Sequence, residues 1–108
     1  METPLEKLKR MTAWDMDPAL SEADLGELLA AVALEDAAGL APLNEEWTPT
    51  YDLNAAASAA WLIKAARVSM TVEVDPPGSG IVTSKVFDNC RAMARVYAAK
   101  RKVSIAVR

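Results

Sequence analysis

The pattern of apolar and polar residues predicts a helix that begins after Ser21. Ser21 is a favourable N-cap, and Asp24 lies at the offset of a capping box, where its negative charge also suits the helix dipole. One apolar stripe follows at helical spacing, formed by Leu25, Leu28, Leu29 and Val32. Because Gly39 and Pro42 disfavour continuation, we expect this helix to end near Asp36.

The longest predicted helix runs from about Tyr51 to Ser69 and is apolar on two sides. Thr50 or Asp52 can cap its first turn. One stripe consists of Leu53, Ala57, Ala60, Trp61 and Val68, and the second of Ala55, Ala59, Leu62 and Ala66. A helix with two apolar stripes has to bury both. We expect one stripe to face the core, whereas the alanine stripe lets another backbone approach, either within the domain or from a neighbouring copy.

Two further helices are predicted near the ends of the chain. Pro4 suits the first turn of a short helix over residues 4–13, and a break follows at residues 14–18. The last helix should span about Thr83 to Arg101, capped by Thr83 or Ser84, with an apolar stripe of Val86, Phe87, Cys90, Met93, Ala94 and Tyr97. The sequence therefore predicts an all-α fold, a bundle of three to four helices in a single domain of 108 residues.

Two segments have the alternation of short strands. The first is Thr71 to Val74, which precedes a loop over residues 75–80 that is rich in Pro and Gly. The second is the tail over residues 103–107, with β-branched residues at every other position. Because a lone strand leaves its backbone groups unpaired, we expect the tail to pair with residues 71–74 or to add to another subunit.

Charge is distributed unevenly around a formal net charge of −3. Residues 15–52 carry acidic side chains and no Lys or Arg, whereas only basic side chains occur from Arg91 onward. This separation predicts head-to-tail attraction between copies, or a basic end that binds an acidic partner. Two ordinary solvated faces would give the same pattern.

Residue types that carry catalysis or bind metals are scarce. The chain has no histidine, which is the commonest general base and metal ligand. Cys90 is the single cysteine and lies on an apolar stripe, so that we expect it to pack in the core rather than to react. The carboxylate pair Glu45 and Glu46 is interpreted as part of a solvated loop. We therefore expect no enzyme activity, no cofactor, no metal site and no membrane span.

Tryptophans in loops provide the remaining candidates for contacts with partners. Trp14 and Trp47 flank helices in Pro-containing segments, where each can plug the core or anchor an interface, and Trp47 should anchor its loop. Together with the alanine stripe, the candidate subunit-interface residues are Trp14, Trp47, Ala55, Ala59, Leu62 and Ala66.

The segment from Trp47 through Thr50-Tyr51-Asp52-Leu53-Asn54 into the alanine run and Trp61 resembles the central helix of head–tail connector proteins of tailed bacteriophages. Residues 17–25 and 86–94 are similar to the flanking helices of that family, so that the resemblance covers about residues 15–100. It implies a helical subunit of a ring, usually twelvefold, beneath the portal protein. Such a ring extends the DNA channel and gives the tail or stopper protein a docking surface. The loop over residues 75–80 departs from the family's shorter, more polar version.

The resemblance also implies that the chain ends reach neighbouring subunits or the portal. Residues 1–14 would form an N-terminal arm and residues 102–108 a docking tail, with Lys100, Arg101, Lys102, Val103, Ile105, Val107 and Arg108 as the partner-binding residues. The expected location is the virion neck after assembly in the host cytoplasm, with DNA passing without sequence-specific binding during packaging and ejection. The alternative is a small nucleic-acid-binding regulatory protein, in which the basic last helix contacts phosphates and Tyr97 stacks on a base.

Overall fold

The computed structural model describes the backbone of residues 2–72 and 80–101, and the side chains of residues 2–70 and 85–101. Four helices occupy these ranges: α1 (Pro4–Thr12), α2 (Glu22–Ala31), α3 (Leu53–Val72) and α4 (Gly80–Lys100). No strand occurs in the described ranges, so that the predicted all-α bundle is confirmed. Residues 73–79 and the tail over residues 102–108 lie outside the described residues, together with the predictions made for them.

Helix α1 is capped at both ends by the residues next to it in the chain. Thr3 is the N-cap, and it forms a capping box with Glu6 in which each side chain accepts the backbone N–H of the other residue. At the other end, Ala13 has φ 47° and terminates the helix in the left-handed region. The predicted helix over residues 4–13 and the break that follows it are confirmed. Leu8 is fully buried, so that α1 is packed against the bundle.

Helix α2 begins as predicted and ends earlier than predicted. Ser21 caps it, with a reciprocal capping box to Asp24. The prediction of an end near Asp36 is wrong, because the helix stops at Ala31. Residues 32–34 instead run antiparallel to residues 50–52: the Leu34 N–H donates to the Thr50 carbonyl, and the Asp52 N–H donates to the Val32 carbonyl. This long-range pairing replaces the backbone bonds that a longer helix would have made.

The connection from α2 to α3 is organised by one carboxylate. Asp36 accepts the backbone N–H groups of Ala38 and Leu40 on Oδ1 and that of Thr48 on Oδ2, at 2.8 to 2.9 Å. These bonds lower the pKa of Asp36, chiefly those from Thr48 and Leu40. Asp36 is therefore the centre of a loop rather than the last residue of a helix.

Helix α3 ends later than predicted, and helix α4 begins earlier than predicted. Asp52 is the cap of α3, since its Oδ1 accepts the Ala55 N–H at 3.1 Å. The strand predicted from residue 71 is wrong at Thr71 and Val72, which belong to α3. The caps predicted for the last helix at residues 83 and 84 are also wrong, because α4 begins at Gly80.

Helix α3 lies at the centre of the bundle and contacts each of the other three helices, whereas α2 and α4 do not contact one another. One core cluster joins α1, α2 and α3 and consists of Leu8, Leu20, Leu25, Leu29, Ala56, Ala57 and Ala60. A second cluster joins α3 to α4 and consists of Trp61, Ala65, Cys90 and Ala94. The stripes predicted to face the core on α2, α3 and α4 are confirmed by these clusters. Acidic α2 and basic α4 consequently lie against different parts of α3.

Candidate docking surfaces

One side of α3 supplies donors to the backbone of α1 and of the turn that follows it. Trp61 Nε1 donates to the Met11 carbonyl at 3.2 Å, and Arg67 donates to the Ala19 carbonyl at 2.9 Å. Between them, Lys64 Nζ donates to three further carbonyls. The carbonyls of Met11 and Thr12 are among the last of α1 and have no partner within the helix, so that Trp61 and Lys64 satisfy groups that the helix leaves unpaired. We call Trp61, Lys64 and Arg67 the donor row.

Lys64 is the most unusual member of the donor row. Its side chain is 1% exposed, and Nζ lies 2.9, 2.7 and 3.3 Å from the carbonyl oxygens of Thr12, Ala13 and Met16. Nζ also lies 4.7 Å from the ring centroid of Trp61. Burial lowers the pKa of Lys64. No local signal in the sequence identifies the burial of Lys64, because its partners lie about fifty residues earlier in the chain.

The opposite side of α3 carries the predicted alanine stripe, here called the outer flank: Ala55, Ala59, Leu62 and Ala66. Ala55 and Ala59 are half-buried, Ala66 is exposed, and Leu62 is 52% exposed. Met70 continues this surface and is 75% exposed. Leu62, Ala66 and Met70 are thus left exposed by the described part of the chain, whereas Ala55 and Ala59 are partly covered by it. The outer flank is also free of charge, because Lys64 and Arg67 both belong to the donor row.

The two loop tryptophans pack within the chain and retain part of their surface. Trp14 is half-buried against the first core cluster, with Lys9 Nζ 4.6 Å from its ring centroid. Trp47 anchors its loop as expected: Nε1 donates to the Leu34 carbonyl at 2.8 Å, and its ring meets Tyr51 edge to face. Their role at an interface stays a prediction.

The predicted partner-binding residues lie at and beyond the end of α4. Lys100 and Arg101 are exposed, and the Lys100 carbonyl accepts a hydrogen bond from Asn54 at 3.3 Å. The remaining five, Lys102, Val103, Ile105, Val107 and Arg108, lie outside the described residues. Two more cations, Arg91 and Arg95, are exposed earlier on the same helix.

Among the described side chains, every ion pair involves α1 or α2. Lys9 binds Glu22 at 2.7 Å, which joins α1 to α2. Arg67 binds Asp24 at 3.1 Å, which joins α3 to α2, and hydrogen bonds from Ser21 and then from Arg67 hold the pKa of Asp24 low. Within the part of α4 whose side chains are described, no basic residue forms an ion pair. Arg91 Cζ and Lys100 Nζ instead lie 5.8 and 5.7 Å from the ring centroids of Phe87 and Tyr97.

Cys90 is 1% exposed in the second core cluster, so that its predicted packing role is confirmed. Burial raises the pKa of the thiol, against a smaller opposing effect of Lys64. A cleft of about 390 Å³ lies beside these two residues, lined by Ala13, Met16, Asp17, Trp61, Lys64, Lys85, Val86, Asn89 and Cys90. Cys90 and Lys64 are both 1% exposed at the wall of this cleft.

Over the described residues, no three Cys, Asp or Glu side chains lie close enough together to hold a metal ion.

None of the described helices combines the length and the apolar character that crossing a membrane requires.

Comparison of this chain with models of protein families, with curated proteins and with solved structures finds no match in any of the three.

Proposed function

We propose that this protein is a structural subunit of the neck of a tailed bacteriophage, where copies form a ring on the portal protein. The ring extends the DNA channel and offers the tail or stopper protein a docking surface. The observation that carries the proposal is the outer flank of α3, an uncharged apolar surface on an alanine-rich helix. Exposed apolar patches of this kind are typical of surfaces that bind other proteins.

The composition of the outer flank suits helix packing between subunits. Three of its four residues are alanines, which allow the backbone of another helix to approach closely. Leu62 projects from among them and can fill a hollow on a partner. This support adds the exposure of the outer flank to the sequence resemblance, which rests on the order of three segments along the chain.

A nucleic-acid-binding regulator is less well supported. That alternative used Tyr97 as a stacking residue, yet Tyr97 is half-buried and packs against both core clusters. Lys100 Nζ lies 5.7 Å from the centroid of the same ring. A base would have to displace these contacts before it could stack.

Binding to a purified portal ring tests the proposal. We expect the full chain to co-sediment with the portal at a fixed number of copies per ring. Ala66→Glu puts a carboxylate on the outer flank. Because burying a charge without a counter-charge is costly, this variant should bind the portal roughly a hundredfold more weakly. Ala23→Glu is the matched control, because it makes the same change at an exposed position of α2 and should bind like the wild type.

Circular dichroism of each variant verifies that the helices remain intact. Failure of the wild-type chain to join a portal ring at any concentration would end the proposal. Equal binding by Ala66→Glu and the wild type would show that the outer flank does not contribute to binding of the portal ring.

A further inference from the structure

A cleft of about 330 Å³ lies where α4 ends and α3 begins. Its walls come from α1, from the paired segments 32–34 and 50–52, from the first turn of α3 and from the end of α4. The lining residues are Lys7, Leu34, Thr50, Tyr51, Asp52, Leu53, Asn54 and Lys100. Leu34, Tyr51 and Leu53 are half-buried, so that the described residues cover these apolar side chains only in part.

The backbone of Tyr51 has an N–H and a carbonyl that make no hydrogen bond with described residues. Thr50 and Asp52, on either side of it, both use their backbone groups to bind residues 32–34. Because successive residues of a paired extended segment direct these groups to opposite sides, the N–H and the carbonyl of Tyr51 point away from residues 32–34. They form an edge to which a further extended segment can add.

The end of α4 directs the chain toward this edge. Ser58 Oγ of α3 donates to the Ala94 carbonyl of α4 at 2.9 Å. Further along α4, the Lys100 carbonyl accepts Nδ2 of Asn54, which lies earlier in α3, at 3.3 Å. The two helices therefore run antiparallel, and α4 ends level with the first turn of α3. A chain that continues in the direction of α4 passes residues 50–52 in the antiparallel sense.

We propose that the tail over residues 103–107 lies in the cleft of its own chain and pairs with residues 50–52 as a third extended segment. Its β-branched residues Val103, Ile105 and Val107 fall on one face of an extended chain. That face covers the apolar side chains of the cleft, while the tail backbone bonds to Tyr51. Residues 103–107 carry no charge, so that the lysines of the cleft do not repel them.

Attachment favours the chain's own tail over the tail of another copy. Arg101 and Lys102 alone separate Val103 from Lys100, which already lines the cleft. A segment on so short a linker has an effective concentration in the roughly millimolar range, far above that of other copies in dilute solution. The pairing with residues 71–74 expected from the sequence is excluded at residues 71 and 72, because both belong to α3.

The inference concerns the free subunit and does not rest on the proposed function. In the docked state, the tail joins the end of α4 to the connection that precedes α3. A partner that uses the tail has to displace it from the cleft first.

Hydrogen exchange of backbone amides, followed by NMR on the full chain, tests the docking. We expect the Tyr51 amide to exchange at least about tenfold more slowly in the full chain than in a chain that lacks residues 103–108, because a tail carbonyl accepts it. Ile105→Lys puts a charge on the apolar face of the tail and should remove this protection. Ala106→Lys is the matched control, because it makes the same change on the other face and should keep the protection. The amide of buried Leu25 should exchange equally in all four chains, which verifies that the bundle stays folded.

A nitroxide on Ser104→Cys, in a Cys90→Ala background, separates the chain's own tail from that of another copy. On an isotopically enriched chain, the nitroxide should broaden the amide signals of Thr50 and Tyr51 and spare that of Ser69, which lies near the other end of α3. A mixture of nitroxide-bearing chains without enrichment and enriched chains without the nitroxide should show no broadening.

Equal exchange of the Tyr51 amide with and without residues 103–108 would overturn the inference. Loss of protection in Ala106→Lys would overturn the assignment of the two faces and with it the extended pairing. Broadening that appears in the mixture alone would assign the cleft to the tail of a second copy, which also overturns the inference. Because these measurements include no portal, their failure leaves the proposed function standing, and failure to bind a portal leaves the docked tail standing.

Discussion

Replacing Lys64 by methionine should be among the most destabilising single changes in this protein. Methionine is also unbranched and nearly as long, so that it keeps most of the packing and removes only the ammonium group. The change leaves the carbonyls of Thr12, Ala13 and Met16 without the donor that now lies 2.7 to 3.3 Å away. Two of these bonds are short and charge-assisted, which makes them stronger than neutral hydrogen bonds.

The magnitude follows from the balance of two opposed effects. Hydrogen bonds from a charged donor contribute about 1.5 to 3 kcal/mol each, and a buried carbonyl left unpaired costs about 1 to 3 kcal/mol. The Ala13 carbonyl still accepts the Met16 N–H after the change, so that this cost does not apply to all three carbonyls. Against this, the wild-type protein has to desolvate an ammonium, a cost that methionine avoids. We expect a net loss of about 2 to 4 kcal/mol, which is a large part of the roughly 5 to 15 kcal/mol of a typical domain.

Urea unfolding followed by circular dichroism and by tryptophan fluorescence measures this loss. The midpoint should fall while the slope of the free energy against urea stays the same. Lys85→Met is the matched control, because Lys85 is exposed and forms no ion pair with described residues, and it should change stability by less than about 0.5 kcal/mol. Equal midpoints for Lys64→Met and the wild type would refute the role assigned to the donor row.

Three further predictions concern other parts of the bundle. Because the pKa of Asp36 is lowered, its contribution to stability is present above the ordinary value of 3.8 and is lost as the pH falls through the lower pKa of the folded protein. The amide proton of Thr48 donates to this carboxylate, so that its NMR signal should titrate with a midpoint below 3.8. A midpoint at or above 3.8 would contradict this. Cys90 should react with a thiol reagent at least a hundredfold faster in urea than in the native protein, because it is buried and its pKa is raised, and equal rates would place it at the surface. Ser21→Ala should cost about 1 kcal/mol in urea unfolding through loss of the capping box, whereas Ser69→Ala, at an exposed position of α3, should not destabilise the protein.

Local signals predicted the parts of the fold that local physics determines. The capping box at Ser21 and Asp24 identified the beginning of α2, because both of its hydrogen bonds span only three residues. Apolar spacing identified the buried faces of α2, α3 and α4, because core packing selects residues one turn apart. The alanine stripe was also predicted as a surface, although the sequence left open whether the same chain would cover it.

The errors arise where distant residues decide the outcome. Helix α2 stops at Ala31 because residues 32–34 pair with residues 50–52, a contact that no local pattern shows. At Thr71 and Val72 a four-residue alternation was read as a strand, yet a long helix gains a hydrogen bond for each residue that extends it. The burial of Lys64 was not predicted for the same reason, since its three partners lie about fifty residues earlier in the chain.

The donor row and the outer flank are two consequences of one arrangement on α3. This helix has only two cations between residues 53 and 70, and both donate to carbonyls of the segment over residues 12–19. Lysine and glutamate are nearly as good helix formers as alanine, so that charged residues at positions 62 and 66 would cost the helix little and would suit a solvent-facing surface. The chain instead has Leu62 and Ala66 there, and Met70 beyond them. The proposed docking role accounts for an uncharged surface that helix propensity does not require, and Ala66→Glu tests it directly at that surface.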